Sequence, residues 1–138
     1  MVAQVVREAM VPEPTTLGAG ASAQEAGECL GNPDVRAVFV TDDAGRLLGV
    51  ITRKTLVREV VAAGRDPRST TLREVAEPPY HTLDASLELD AAFRFLEEHD
   101  LERVPVIEPD GRLVGVISRA VVQRRLAEDE PPEEPIEL

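Results

Sequence analysis

The sequence predicts an α/β fold of the α+β type. Two β-α-β-β-α units are related by a pseudo-twofold axis, each a small, mostly antiparallel sheet with two helices. Three observations carry this. The nonapeptide Gly45-Arg46-Leu47-Leu48-Gly49-Val50-Ile51-Thr52-Arg53 recurs as Gly111-Arg112-Leu113-Val114-Gly115-Val116-Ile117-Ser118-Arg119. The 66-residue offset then holds without a gap from Val6–Val60 onto Leu72–Leu126. Arg7-Glu8 falls on Arg73-Glu74, Thr16-Leu17 on Thr82-Leu83, and Val38 and Val40 on Val104 and Val106. So many ungapped matches mark an internal duplication. Within each copy, helical and alternating apolar patterns follow one another in the same order.

The elements follow in turn. Val2, Val5, Val6 and Ala9 have helical spacing, and Pro12 and Pro14 end that lead-in helix. Thr15 to Leu17 is a short extended piece. Ser22, with Glu25 three residues on, is a capping box for a helix to about Leu30, stopped by Gly31-Asn32-Pro33. Arg36 to Thr41 alternates as a strand, Asp42-Asp43-Ala44-Gly45 is a hairpin turn, and Leu47 to Ile51 is an apolar strand. Thr52 caps a helix that Gly64 ends. In the second copy Thr70 or Thr71 caps a lead-in helix broken at Pro78-Pro79, and Tyr80 to Leu83 is extended. Ser86 is the expected cap of the next helix. Val104 to Ile107 is a strand that Pro105 marks as a sheet edge or bulge. Asp110-Gly111 is the turn, Leu113 to Ile117 the last strand, and Ser118 the last cap. Residues 1–64 form the first repeat and 65–127 the second. Residues 128–138, proline-rich and acidic, are expected to be disordered.

Composition bounds the function. Hydrophobic residues are 43% of the 138 and aromatics 3%, so the core must be built from Val, Leu, Ile and Ala. No apolar run approaches the roughly 20 residues of a membrane span. The net charge is −11, but six of the 26 acidic residues lie in 128–138, leaving a body of about −5. No basic face for nucleic acid or anionic lipid emerges. The single cysteine, Cys29, forms no internal disulfide, and a cytoplasmic location is the simplest expectation. His81, His99 and Cys29 fit no zinc spacing. No nucleophile elbow or glycine-rich phosphate loop occurs, so an enzyme is not expected.

The duplicated Gly49-Val50-Ile51-Thr52 and Gly115-Val116-Ile117-Ser118 resemble the CBS domain family, as do Arg103-Val104-Pro105-Val106 before Asp110-Gly111-Arg112-Leu113. The resemblance is to a tandem pair, or Bateman module, and covers nearly the whole chain. It implies pseudo-twofold pairing of the repeats, homodimerisation into a flat disc, and a regulatory role toward a protein partner. It also implies a small-molecule nucleotide in the inter-repeat cleft. AMP, ADP, ATP or S-adenosylmethionine are the candidates, as regulatory ligands and not required cofactors. The family's motif follows the hydroxyl residue, after two positions, with an aspartate that holds the ribose hydroxyls. Here those positions are Thr55 and Val121, and neither is a carboxylate.

The candidate ligand-binding residues are Thr52, Arg53, Lys54, Thr55, Ser118, Arg119, Tyr80, His81, Arg103 and Pro105. Thr52 and Ser118 read as helix caps worth about 1 kcal/mol each, a role compatible with ligand contact. Arg53, Lys54 and Arg119 sit in first turns, where cations oppose the helix dipole, so a phosphate or a cross-domain partner would account for them. Tyr80 offers a stacking face, against the simpler reading that it packs over Pro79. Arg103 faces the cleft if the family geometry holds, against a salt bridge to a nearby carboxylate. Thr55 keeps one hydroxyl, so the first site reads as the better equipped. The alternative function is a ligand-free dimerisation or docking module.

Overall fold

The computed structural model describes residues 4–129. Helix α1 (Val6–Ala9) leads into strand β1 (Val11–Pro12), followed by β2 (Thr16–Gly18), α2 (Ala23–Leu30), β3 (Val38–Thr41), β4 (Leu47–Ile51) and α3 (Arg53–Leu56). Helix α3 continues as a π turn over Val57–Val61. The second copy runs α4 (Leu72–Val75), β5 (Leu83–Asp84), α5 (Leu89–Glu98), β6 (Arg103–Ile107), β7 (Leu113–Ser118) and α6 (Arg119–Asp129). Of the acidic segment 128–138, the first two residues close α6; the rest lie outside the described residues.

Local chemistry sets these elements. The Ser22 hydroxyl accepts from Glu25 N at 3.1 Å and the Glu25 carboxylate accepts from Ser22 N at 2.7 Å, completing the capping box of α2. Both hairpins turn through a glycine in the left-handed region, Gly45 at φ 83° and Gly111 at φ 92°. Asp42 Oδ1 accepts from Ala44 N and Arg46 N, and Asp110 Oδ1 accepts from Arg112 N. One expected cap differs. Helix α5 starts at Leu89 with Glu88 at its N-cap, not at Ser86. The Ser86 hydroxyl instead donates to Asp84 Oδ1 at 2.6 Å, in the Asx turn that ends β5. That bond also holds the Asp84 carboxyl below its ordinary pKa.

Strands β2 and β3 pair in parallel and β3 and β4 antiparallel, giving a three-stranded sheet. The other sheet has the order β1-β7-β6-β5, with only β5–β6 parallel. Each parallel pair is bridged by a helix, α2 or α5, that covers its sheet.

The lead-in helices are exchanged. Val6 and Ala9 of α1 are buried with Leu89, Leu96, Val106 and Ile117, in the core of the second repeat. Leu72 and Val75 of α4 are buried with Leu30, Val38, Val40 and Ile51, in the core of the first. Strand β1 accordingly lies against β7, with Val11 opposite Val116. In the same way Glu77 exchanges two bonds with Val50, at 2.8 and 3.0 Å. The glycine of each repeated motif makes room for the visitor. A Cβ on Gly49 would stand 2.8 Å from Ala76 Cβ, and one on Gly115 would stand 2.6 Å from Met10 Sδ and 2.8 Å from Val11 O.

The packed bodies therefore differ from the sequence repeats. One body holds residues 16–77 and the other holds 4–12 with 83–129. Among the described residues the chain passes between them twice, at 13–15 and 78–82. The bodies are also stitched where the hairpins meet, by Leu47 N to Gly111 O and Leu113 N to Gly45 O, both 3.0 Å. No helix among the described residues is long and apolar enough to cross a membrane.

Candidate functional site

A cleft of about 760 Å³ lies between the bodies. That size suits a small organic ligand, for which sites of about 300–1,000 Å³ are usual. One wall is Val35, Ala37, Phe39, Val50 and Thr52; the other is Leu101, Arg103, Val104, Pro105, Val116, Ser118 and Val121. Both crossing segments complete it, with Pro14 and Thr15 from one and Pro78, Pro79, Tyr80 and His81 from the other. The repeat thus brings the two motif hydroxyls to one cavity, each at the start of a helix.

The expected site residues divide into two groups. Thr52, Ser118, Tyr80, His81, Arg103 and Pro105 line the cleft. Arg53, Lys54, Thr55 and Arg119 do not. Arg53 turns away to donate to the carbonyls of Leu30 and Asn32, at 2.7 and 2.9 Å, closing the C-terminus of α2. Arg119 pairs with Glu102 and, at 3.4 Å, with Asp100. Lys54 is exposed in the first turn of α3. Thr55 is fully buried and its hydroxyl lies 3.0 Å from that of Thr52 and 3.1 Å from Thr52 N, in a capping box. Val121 packs on the core of the second body.

Within the cleft, Tyr80 is 77% exposed and offers its ring to the cavity mouth. The His81 ring meets Phe95 edge-on at 5.7 Å and His99 at 4.9 Å. Pro105 lies directly opposite Val116 on β6. Strand β5 pairs with β6 only at Val106 and Ile107, so Pro105 sits where β6 has an open side and its missing N–H is tolerated. Its counterpart in the first repeat, Phe39, does donate, to Thr15 O at 2.9 Å. Sequence reasoning missed Asp34, Arg36, Glu77 and Glu102, which also line the cleft. Applying the 66-residue offset to the Arg103 neighbourhood would have found the 34–37 stretch. Glu77 is paired with Arg58, whose guanidinium it holds more firmly protonated than usual. Among the described residues no three His, Cys, Asp or Glu side chains converge as a metal site would need.

Two like halves enclosing one cavity define a tandem-repeat module with a cleft between its halves. The chain belongs to the CBS domain family, whose model matches residues 6–62 and again 72–128. Hypoxic response protein 1 of Mycobacterium tuberculosis is 32% identical over 122 residues, spanning 88% of this chain and 85% of that protein. The crystal structure of Hypoxic Response Protein I with two coordinated zinc ions has a TM-score of 0.75 at 31% identity, over 88% of this chain and 98% of that one. CBSX2 in complex with AMP shares the fold, with a TM-score of 0.72 at 24% identity over 90% of this chain and 96% of that one. Inosine-5'-monophosphate dehydrogenase of Mycobacterium leprae matches 79% of this chain at 28% identity, but the match spans 20% of that enzyme.

Proposed function

We propose that the chain is a regulatory CBS pair that takes an adenosine-containing ligand into the inter-repeat cleft. The observation that carries this is that one cavity of about 760 Å³ is lined by both motif residues, Thr52 and Ser118, together with Arg103. A base would lie between the apolar walls and stack on Tyr80. An acidic group would meet the motif hydroxyls and the Arg103 side chain. A ligand shifts such a module only by binding one arrangement of its halves better than another. The neighbour solved with AMP, and another CBS pair solved with 5'-methylthioadenosine and S-adenosyl-L-methionine, support this choice of ligand class. The test is a thermal-shift screen with AMP, ADP, ATP and S-adenosylmethionine. A ligand at a hundred times its Kd should raise Tm by on the order of 10 °C. No shift with any of them at millimolar concentration rules the reading out. Zinc belongs in the same screen, since Hypoxic Response Protein I carries two zinc ions.

A second reading, a ligand-free docking module, is favoured by Thr55 and Val121, neither of which presents a carboxylate to a ribose. Val57 and Val61 are 59% and 73% exposed, and Val61 lines a groove with Ala23, Leu56 and Val60 that Gln24, Glu28 and Arg65 also border. A second copy of the chain would cover that apolar face. Light scattering that shows a monomer at every concentration removes this reading.

A further inference from the structure

We propose that two copies of the chain pair through the first body alone, each setting its Val57 and Val61 against the groove beside the other's Gly27. This rests on the reading that a second copy covers this face, and it is independent of what the cleft holds. The internal repeat supplies the comparison. In the second body Leu89 and Phe93 of α5 pack on the core that α6 also closes. At the 66-residue offset the same positions of α2 are Ala23 and Gly27. A methyl group and a hydrogen thus replace two large side chains. The volume they would occupy is an open groove of about 400 Å³, lined from the facing helix by Leu56, Val60 and Val61. A Cβ on Gly27 would find Leu56 Cδ1 at 3.9 Å and no nearer neighbour.

The facing helices differ in the same sense. The π turn that continues α3 carries Val57 and Val61 about one turn apart, both exposed. Helix α6 is α-helical throughout and has Gln123 where Val57 stands. Among the described residues the other large apolar side chains left exposed are Val11, Leu48 and Tyr80, on strands or on a crossing segment. No described helix of the second body offers such a ridge. A ridge and a groove on one patch are self-complementary about a twofold axis, as an isologous contact requires. The rim is self-complementary as well. Glu28 and Arg65 both border the groove, and Glu28 has no hydrogen bond or ion pair among the described residues, so the acid of one rim can meet the base of the other. A pair joined in this way is open at its far end, unlike the flat disc, and leaves the helices of both second bodies uncovered.

Light scattering and sedimentation velocity on the full chain over a range of concentrations test this. The unsubstituted chain should be a dimer. Gly27→Phe gives the first body the side chain that Phe93 gives the second, and should fill the groove from within to yield a folded monomer. Val61→Glu would bury an unpaired charge on pairing, and should raise the dimer dissociation constant about a hundredfold or more. Its side chain is exposed in the single copy, so circular dichroism should be unchanged. The matched changes in α6, Gln123→Glu and Ala127→Glu, should leave the dimer as it is. A dimer that survives Val61→Glu, or one that the α6 changes dissociate, would overturn pairing through the first body while leaving self-association in place. A monomer at every concentration would overturn this and the docking reading together.

Discussion

Thr55 stands where the resemblance places a ribose-binding aspartate, and it is turned inward. Its hydroxyl closes the cap of α3 and its surface is fully buried. Val121, its counterpart, has no polar side-chain atom. A hydrogen bond to a charged group contributes about 1.5–3 kcal/mol, so losing the carboxylate removes the usual preference for a ribose diol. 2'-Deoxy-AMP should consequently bind within about threefold of AMP, whereas a surviving carboxylate contact would separate them tenfold or more. Competition titration measures the ratio, and a tenfold preference for AMP would show that another carboxylate, Asp34 first, has taken over the diol. At this scale the sequence was legible in residue type and not in partner. Arg53 and Arg119 look alike on paper, as cations beside a capping hydroxyl. One caps α2 and the other pairs with Glu102. Which acceptor lies within reach of a long side chain depends on contacts between elements distant in sequence. Nothing local encodes it.

The elements were read most reliably where a local bond decides them. The capping box at Ser22 and the glycine turns at Gly45 and Gly111 stand as expected. Ser86 shows the limit. Its hydroxyl had two local uses, and the turn with Asp84 took precedence because the chain there meets the exchanged lead-in. Leu89 N donates to Gln4 O at 3.0 Å, a partner from the other end of the chain. The two motif glycines belong to this scale as well. They are strand residues with negative φ, so only the passing chain requires them. Gly115→Ala and Gly49→Ala should each destabilise the protein by about 1–3 kcal/mol through overpacking against backbone that cannot move aside. Denaturant titration checks this, and an unchanged midpoint for both would show that the exchanged strands yield.

On the scale of the molecule, the duplication announced two halves but not that each would lodge its first helix in the other. Periodicity places Val6 and Ala9 on an apolar face and is silent about which core receives that face. The exchange makes the halves thermodynamically interdependent. Leu72, fully buried in the first body, enters the chain as part of the second repeat. Leu72→Ala should cost about 2–5 kcal/mol, and unfolding should remain a single transition in which both bodies are lost together. Two resolved steps in denaturant would contradict this coupling.

The two crossings have a mechanical consequence. The halves are riveted where the hairpins meet, at the end of β4 and β7 away from the hydroxyls, and the chain passes between them in the proline-bearing straps that line the cavity. Any relative tilt of the halves would turn about that rivet, as the arms of tweezers turn about theirs. With a rise of about 3.3 Å per residue, the five residues of β4 form an arm of about 17 Å, so a tilt of about 3° at the rivet displaces Thr52 by about 1 Å. An occupant that touched Pro14 and Pro78 would press on both straps at once, and its girth would set the angle between the arms.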